Sequence, residues 1–198
     1  MRVFVAGGSG VLGIRVVPLL VADGHEVAAT TRSPEKVDAL RRLGATPVVC
    51  DVFHAEELRE AVASFRPDAV MHQVTDLPDD EAELAARREG NARIRREGTT
   101  NLVVAACAAG ASRFFAQSVA WDAGGDSAAA VRALERATLG VGGVVLRYGR
   151  FYGPGTYHAE PPPSPRIHID EAARRTAGAL DAPTGILELV EEEDPSSA

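Results

Sequence analysis

Short apolar runs alternate with longer stretches in which apolar residues recur every three to four positions, and this alternation organises the first 150 residues. Residues 3–6 (Val-Phe-Val-Ala) are apolar without a break, as expected of a strand buried on both faces of a parallel sheet. Residues 11–22 carry the helical period and stop at Gly24, a residue suited to the left-handed position after a helix. A second strand is predicted over 26–30. Ser33 then stands as an N-cap with Pro34 in the first helical position, which predicts a helix to about residue 43 that ends at Gly44. The same reading gives strands at 47–50, 69–72, 113–117 and 143–147. Helices are predicted at 55–64, 81–109 and 128–139, the long one interrupted weakly at Gly90 and Gly98. Strands alternating with helices predict an α/β fold, a doubly wound parallel sheet covered on both faces.

Past Arg150 the period is lost. Residues 153–165 hold Gly153, Pro154, Gly155 and the run Pro161-Pro162-Pro163-Ser164-Pro165, which reads as a loop. A helix over 170–180 and a last strand over 185–190 follow, and 191–198 reads as an acidic, frayed tail. At 198 residues the chain can bury one good core and a small appendage, but not two full domains. A net charge of -7 argues against nucleic acid or an anionic membrane as a partner. No apolar run reaches the roughly 18 residues of a membrane span. The first residues lead straight into glycines, so no leader is expected and the expected location is cytoplasmic. Cys50 and Cys107 lie in apolar stretches, far apart and without paired spacing. Both are expected to be buried small hydrophobes, with no disulfide and no metal site.

The turn after the first strand carries the clearest chemistry. Gly7-x-x-Gly10-x-x-Gly13 follows a strand and opens a helix, the context in which this spacing binds a dinucleotide. Gly7 permits the sharp turn, Gly10 lets backbone approach a pyrophosphate, and Gly13 lets the helix pack on the sheet. Amides from Ser9, Val11 and Leu12 at the helix start then face the anion, assisted by the helix dipole. The fold is therefore read as a Rossmann fold, with 1–152 as the nucleotide-binding domain and 153–198 as a short extension packed on it. At the end of the second strand, Thr30-Thr31-Arg32-Ser33 contains no acid to bond the ribose hydroxyls of NAD. Arg32 and Ser33 suit a 2′-phosphate instead, so NADP is expected, with NAD second. Asp51, followed by Val52, ends the third strand and can take the adenine amine or cap the next helix. Gln73 and Val74 end the fourth strand, where backbone borders the cofactor riboses.

These residues resemble the short-chain dehydrogenase/reductase superfamily, and within it the extended or atypical NAD(P)-dependent epimerase/dehydratase-like members. Residues 5–13 look like the nucleotide turn, 97–106 like the helix after the fourth strand, and 114–120 like the fifth strand with its active-site serine, Ser118. Residues 146–156, with Tyr148, Tyr152, Gly153 and Pro154, resemble the segment over the nicotinamide, and 168–173 the later segment that joins the substrate region. The resemblance implies an oxidoreductase, or a repurposed enzyme of the same fold, acting on a small metabolite. Two departures stand against it. The family's catalytic tyrosine and lysine fall, when aligned on Glu135, at Ser127 and Val131, and Lys36 is the only lysine in the chain. The substrate region is also much reduced, with about ten residues between Tyr157 and His168 where the family carries a long insertion.

What chemistry remains rests on few groups. Ser118 can hydrogen-bond a substrate carbonyl or be a polar strand end. Tyr152, with Tyr148 and Tyr157, lies near the expected nicotinamide edge and can stand in for the missing acid or pack the loop. His72 and His168 can serve as general acids or bases, or be structural at a strand end and a helix start. Trp121 can wall a small pocket or fill the core. The acids at 76 and 79–81 suit a solvated helix start. Two readings stay open: an NADP(H)-dependent enzyme, or a catalytically silent NADP(H)-binding sensor or partner subunit. By analogy with such folds, the helices at 81–109 and 128–139 suggest a homodimer.

Overall fold

Side-chain alternation along the first strand explains why an unbroken apolar run was needed. In the computed structural model, which describes residues 1–78 and 80–192, β1 (Arg2–Ala6) sends Val3 and Val5 to one core and Phe4 and Ala6 to the other. The chain continues as α1 (Gly13–Ala22), β2 (Glu26–Thr31), α2 (Val37–Arg42), β3 (Thr46–Val49), α3 (Ala55–Phe65) and β4 (Ala69–His72). It then forms α4 (Arg88–Arg93), α5 (Thr99–Ala108), β5 (Arg113–Val119), α6 (Gly125–Gly140) and β6 (Val144–Tyr148). Two short strands, β7 (Arg150–Tyr152) and β8 (Arg166–His168), pair parallel to each other before α7 (Ile169–Ala177) and β9 (Gly185–Leu189).

Among the described residues the main sheet is seven-stranded and parallel throughout, in the order β3-β2-β1-β4-β5-β6-β9. The order reverses between β1 and β4, so a crevice opens at their carboxyl ends, where ligands of such sheets bind. On one side Val16, Leu20, Met71, Leu146 and Ile169 pack together; on the other Leu58, Val62, Leu102, Phe114 and Leu134 do. The described residues past 153 join this same body. β9 pairs with β6, and α7 packs on α1 through the Arg15 Nε–Asp170 Oδ1 ion pair of 2.8 Å.

Four expectations are corrected. The helix expected over 81–109 is instead a 3-10 turn at Glu81–Glu83, then α4, a π-helical turn at Ile94–Gly98, and α5. Its glycines mark close approaches: a Cβ on Gly90 would collide with the Asp76 carboxylate, and one on Gly98 would press on Val52 at 3.1 Å. Ser33 contributes no side-chain cap, because the hydroxyl that accepts its amide belongs to Thr31. Cys50 is buried as expected, and burial pushes its thiol up to about 11, but Cys107 is exposed. It lies on the outer side of α5, a helix apolar around most of its circumference, so periodicity could not orient it. Of the tail expected to fray, Glu191 is held: its carboxylate accepts from the Tyr152 hydroxyl (2.5 Å), Arg166 Nε (3.2 Å) and the His168 amide (3.2 Å). Asp79 and 193–198, which include the rest of the acidic tail, lie outside the described residues.

Candidate cofactor-binding site

The carboxyl ends of β1, β2 and β4 meet at the turn that leads into α1. Gly7 takes φ of +89°, and a Cβ there would lie 2.7 Å from the Gln73 carbonyl oxygen. A Cβ on Gly8 would lie 2.6 Å from that of Ala29, and one on Gly13 would lie 2.7 Å from the Gly8 carbonyl carbon. These positions leave room for no side chain, so backbone alone lines the turn. Gly10 closes it by donating to the Gly7 oxygen (3.1 Å). The amides of Val11 and Leu12 donate to no acceptor among the described residues, which leaves them for an anion or solvent.

Two threonines at the end of β2 fix the turn from beneath. Thr30 Oγ1 accepts from the Gly7 amide (2.9 Å), and Thr31 Oγ1 accepts from the Ser9 hydroxyl (2.9 Å) and the Ser33 amide (3.1 Å). Sequence reasoning had used these positions only to note the missing acid. Their signal was the short hydroxyl pair where an apolar strand ends. Arg15, also missed, clasps the turn from outside. Its guanidinium donates to the Val11 oxygen (2.8 Å), the Pro154 oxygen (2.5 Å) and Asp170. The bend at Gly153 and Pro154 is thereby brought to the turn, with Gly155 beside Val11.

Arg32 lies at the rim of an open cleft of about 490 Å³, where Asp76 pairs with it (3.3 Å) and with Arg87 (3.8 Å). Asp51 accepts from the Phe53 amide (2.9 Å), the turn-forming role, and the Val52 oxygen accepts from Asn101 (2.9 Å). On β4, Gln73 Nε2 donates to the Tyr148 hydroxyl (3.4 Å), which donates to Thr176 Oγ1 (2.6 Å), which donates to the Ala172 oxygen (2.6 Å). Gln73 Oε1 is left buried with no donor, an acceptor that a ligand can complete. Burial holds the Tyr148 phenol well above its ordinary pKa, so it keeps its proton.

The groups expected to act on substrate are engaged elsewhere. The buried Ser118 hydroxyl donates to Glu135 Oε1 (2.7 Å), and Arg147 grips both oxygens of that carboxylate at 2.8 Å. Burial alone would raise the Glu135 pKa; Arg147 and Ser118 outweigh it and hold the carboxyl below its usual range. Beside this network a cavity of about 250 Å³ is lined by Trp121, Val131 and Arg132, with Arg150 stacked on Trp121 (5.0 Å). Tyr152 donates to Glu191, which raises its pKa, and it shares no hydrogen bond with Ser118. Tyr157 bonds the Pro78 oxygen. His168 caps α7 by accepting from the Asp170 amide (3.3 Å).

His72 is a structural imidazole. Its Nδ1 accepts from the Val74 amide (3.2 Å), so the proton sits on Nε2, which donates to Thr99 Oγ1 (3.1 Å). Burial, aided by the charge of Arg95, pushes its pKa down to about 4. The unfolded chain therefore binds a proton here that the folded chain refuses. The contribution is fully present above the unfolded value of about 6.5 and is lost as pH falls toward 4, a span worth about 3 kcal/mol. Melting curves of the wild type and of His72→Gln should converge as pH drops through this window. Parallel curves would refute the assignment.

A Rossmann crevice with a glycine-walled anion turn defines the class: a dinucleotide-binding α/β protein. The NAD(P)H-binding family model matches residues 7–140, from the first glycine of the turn to the end of α6. The chain belongs to this family and, with it, to the short-chain dehydrogenase/reductase superfamily. It is 36% identical, across its whole length and 78% of the relative's, to a 3-diazoavenalumate denitrifying reductase from a Streptomyces species. That alignment spans 245 positions, so the relative carries insertions this chain lacks. UDP-glucose 4-epimerase from Thermotoga maritima, solved with UDP-glucose, superposes with a TM-score of 0.78 at 17% identity, over 96% of this chain and 77% of that one. The UDP-glucose 4-epimerase of Thermus thermophilus, in complex with NAD, gives 0.75 at 22% identity, over 98% and 78%. At those identities the likeness is one of fold.

Proposed function

We propose that this protein is an NADP(H)-dependent reductase of a small metabolite. The observation that carries this reading is the turn at Gly7–Gly13, whose backbone walls and unengaged amides fit a pyrophosphate. Val11, Leu12 and Gly13 hold the phosphates, Arg32 and Ser33 take the 2′-phosphate, Val52 and Asp51 border the adenine, and Gln73 and Val74 border the riboses. Bound there, the dihydronicotinamide supplies a hydride. Arg32 serves two partners in turn, since its pair with Asp76 is long and half exposed and yields readily to a dianion.

The absent tyrosine–lysine pair sets the kind of acceptor. Reduction of a carbonyl needs a proton at the developing oxyanion, and Ser118 and Tyr152 already donate to carboxylates. An acceptor that loses dinitrogen generates no oxyanion. The full-length similarity to a denitrifying reductase acting on a diazo compound supports this choice. The sensor reading has its own support in the same engaged hydroxyls.

Nicotinamide fluorescence titration tests the cofactor. NADPH should bind about tenfold tighter than NADH, and Arg32→Ala should erase that margin. NADPH loss is then followed with a diazotised aminocinnamate against a panel of aldehydes and ketones. Consumption with the diazo compound alone is the expected result. Binding without consumption of any acceptor would establish the sensor instead.

A further inference from the structure

Among the arginines of the α4–α5 segment three carry ion pairs, and Arg88, which carries none, is exposed. Arg87 meets Asp76 (3.8 Å), Arg93 meets Glu97 (2.7 Å) and Arg96 meets Asp126 (3.2 Å). Arg95, on the π-helical turn and partly buried, has no hydrogen-bond or ion-pair partner among the described residues. Burial lowers its pKa without any carboxylate to offset the effect. Leaving a desolvated guanidinium unpaired is unfavourable, so its position calls for a cause.

Its flanking contacts fix that position. One helical turn before it, Asn91 Oδ1 accepts from the Asp76 amide (3.3 Å); one turn after it, Thr99 Oγ1 meets His72 (3.1 Å). Arg95 therefore lies on the helix face turned toward the segment 72–76, which leaves the carboxyl end of β4, and its charge reaches His72. This is the edge on which the crevice opens. Of the two ionisable side chains on that segment, His72 is neutral and Asp76 is engaged by Arg32 and Arg87, so neither offers Arg95 a counter-charge.

We propose that Arg95 is the binding site for a carboxylate on the substrate, the negative charge that this position lacks within the chain. The inference rests on the reductase reading above, and names its substrate class as a small carboxylic acid. A guanidinium grips a carboxylate through two parallel hydrogen bonds. One cation beside a neutral imidazole balances a single negative charge, whereas a phosphate dianion would remain half compensated. The cofactor's own phosphates are served by the amides at Val11 and Leu12, on a different turn.

Titration of the full chain, with and without saturating NADP+, uses cinnamate and its neutral counterpart cinnamamide as probes. Cinnamate should bind at least about tenfold tighter than cinnamamide, and Arg95→Met should remove that difference while leaving NADPH affinity within about twofold. Arg95→Lys should recover part of it. The ligand-free Arg95→Met protein should melt at or above the wild-type temperature, because an unpaired buried charge has been removed. A purely structural arginine would instead lower the melting temperature and leave cinnamate binding unchanged, which overturns the proposal. Equal binding of the two probes by the wild type, or a parallel loss of NADPH affinity in Arg95→Met, overturns it too. If NADPH fails to bind while the cinnamate results hold, the cofactor reading falls and the carboxylate site stands.

Discussion

Replacing Gly13 by valine should abolish NADPH binding and lower the melting temperature by about 10 °C. The first atom of any side chain there meets backbone: the Gly7 oxygen and, at 2.7 Å, the Gly8 carbonyl carbon. Neither can swing aside as a side-chain tip would. To admit valine, α1 must lift away from β1, which breaks the close packing of Val16 and Leu20 beneath it. Overpacking against backbone costs about 3 kcal/mol, which corresponds to that temperature change in a chain of this length. Cofactor affinity should fall by more than about a hundredfold, because the Val11 and Leu12 amides move with the helix. Fluorescence titration and thermal melts check both. A Gly13→Val protein that binds and melts like the wild type would show that the turn is not walled as described.

Arg147→Met should be comparably damaging, for an electrostatic reason. It leaves the Glu135 carboxylate, whose side chain is only 10% exposed, with the Ser118 hydroxyl as its one remaining partner. Removing one member of a buried pair costs about 3 kcal/mol, toward the lower end because Arg147 keeps 31% of its side chain exposed. The loss should depend on pH with a definite sign. In the wild type the depressed Glu135 pKa stabilises the fold above the unfolded value of about 4.3, and this is lost as pH falls through the folded value. Without Arg147, burial dominates and raises the pKa, so the variant is most penalised at neutral pH and recovers toward pH 4. Melts at pH 7 and near pH 4.5 should show the gap to wild type narrowing. Glu135→Leu combined with Arg147→Met should regain most of the loss at pH 7, since apolar pairs replace buried ion pairs well. A gap that widens in acid would refute this account.

The parallel sheet was legible because residues 3–6 of β1 and the first three residues of β4 and of β6 are unbroken apolar runs, alternating in sequence with helical periods. The glycine turn was legible because its spacing has a steric meaning that holds locally. What escaped notice was decided by partners far away in the chain. Ser118 looks free until Glu135, 17 residues on, is seen to take its proton, and nothing near Glu135 names Arg147 as its counter-ion. Gly90 and Gly98 read as helix breakers, yet each is a place where a side chain would crowd Asp76 or Val52. Arg95 was passed over for the opposite reason: a helix rich in arginine gives no hint which one the fold leaves both unpaired and partly buried.

The clasp made by Arg15 has a consequence for the order in which the molecule can be finished. The turn it steadies is complete in sequence by residue 13, but two of its tethers, the Pro154 oxygen and the Asp170 carboxylate, come from the last third of the chain. During synthesis the glycine turn must wait for those residues to leave the ribosome before it acquires its final stiffness. A nascent chain halted before Pro154 would hold every glycine of the motif and still lack both tethers, so a motif legible in the first residues is finished only by contacts far downstream.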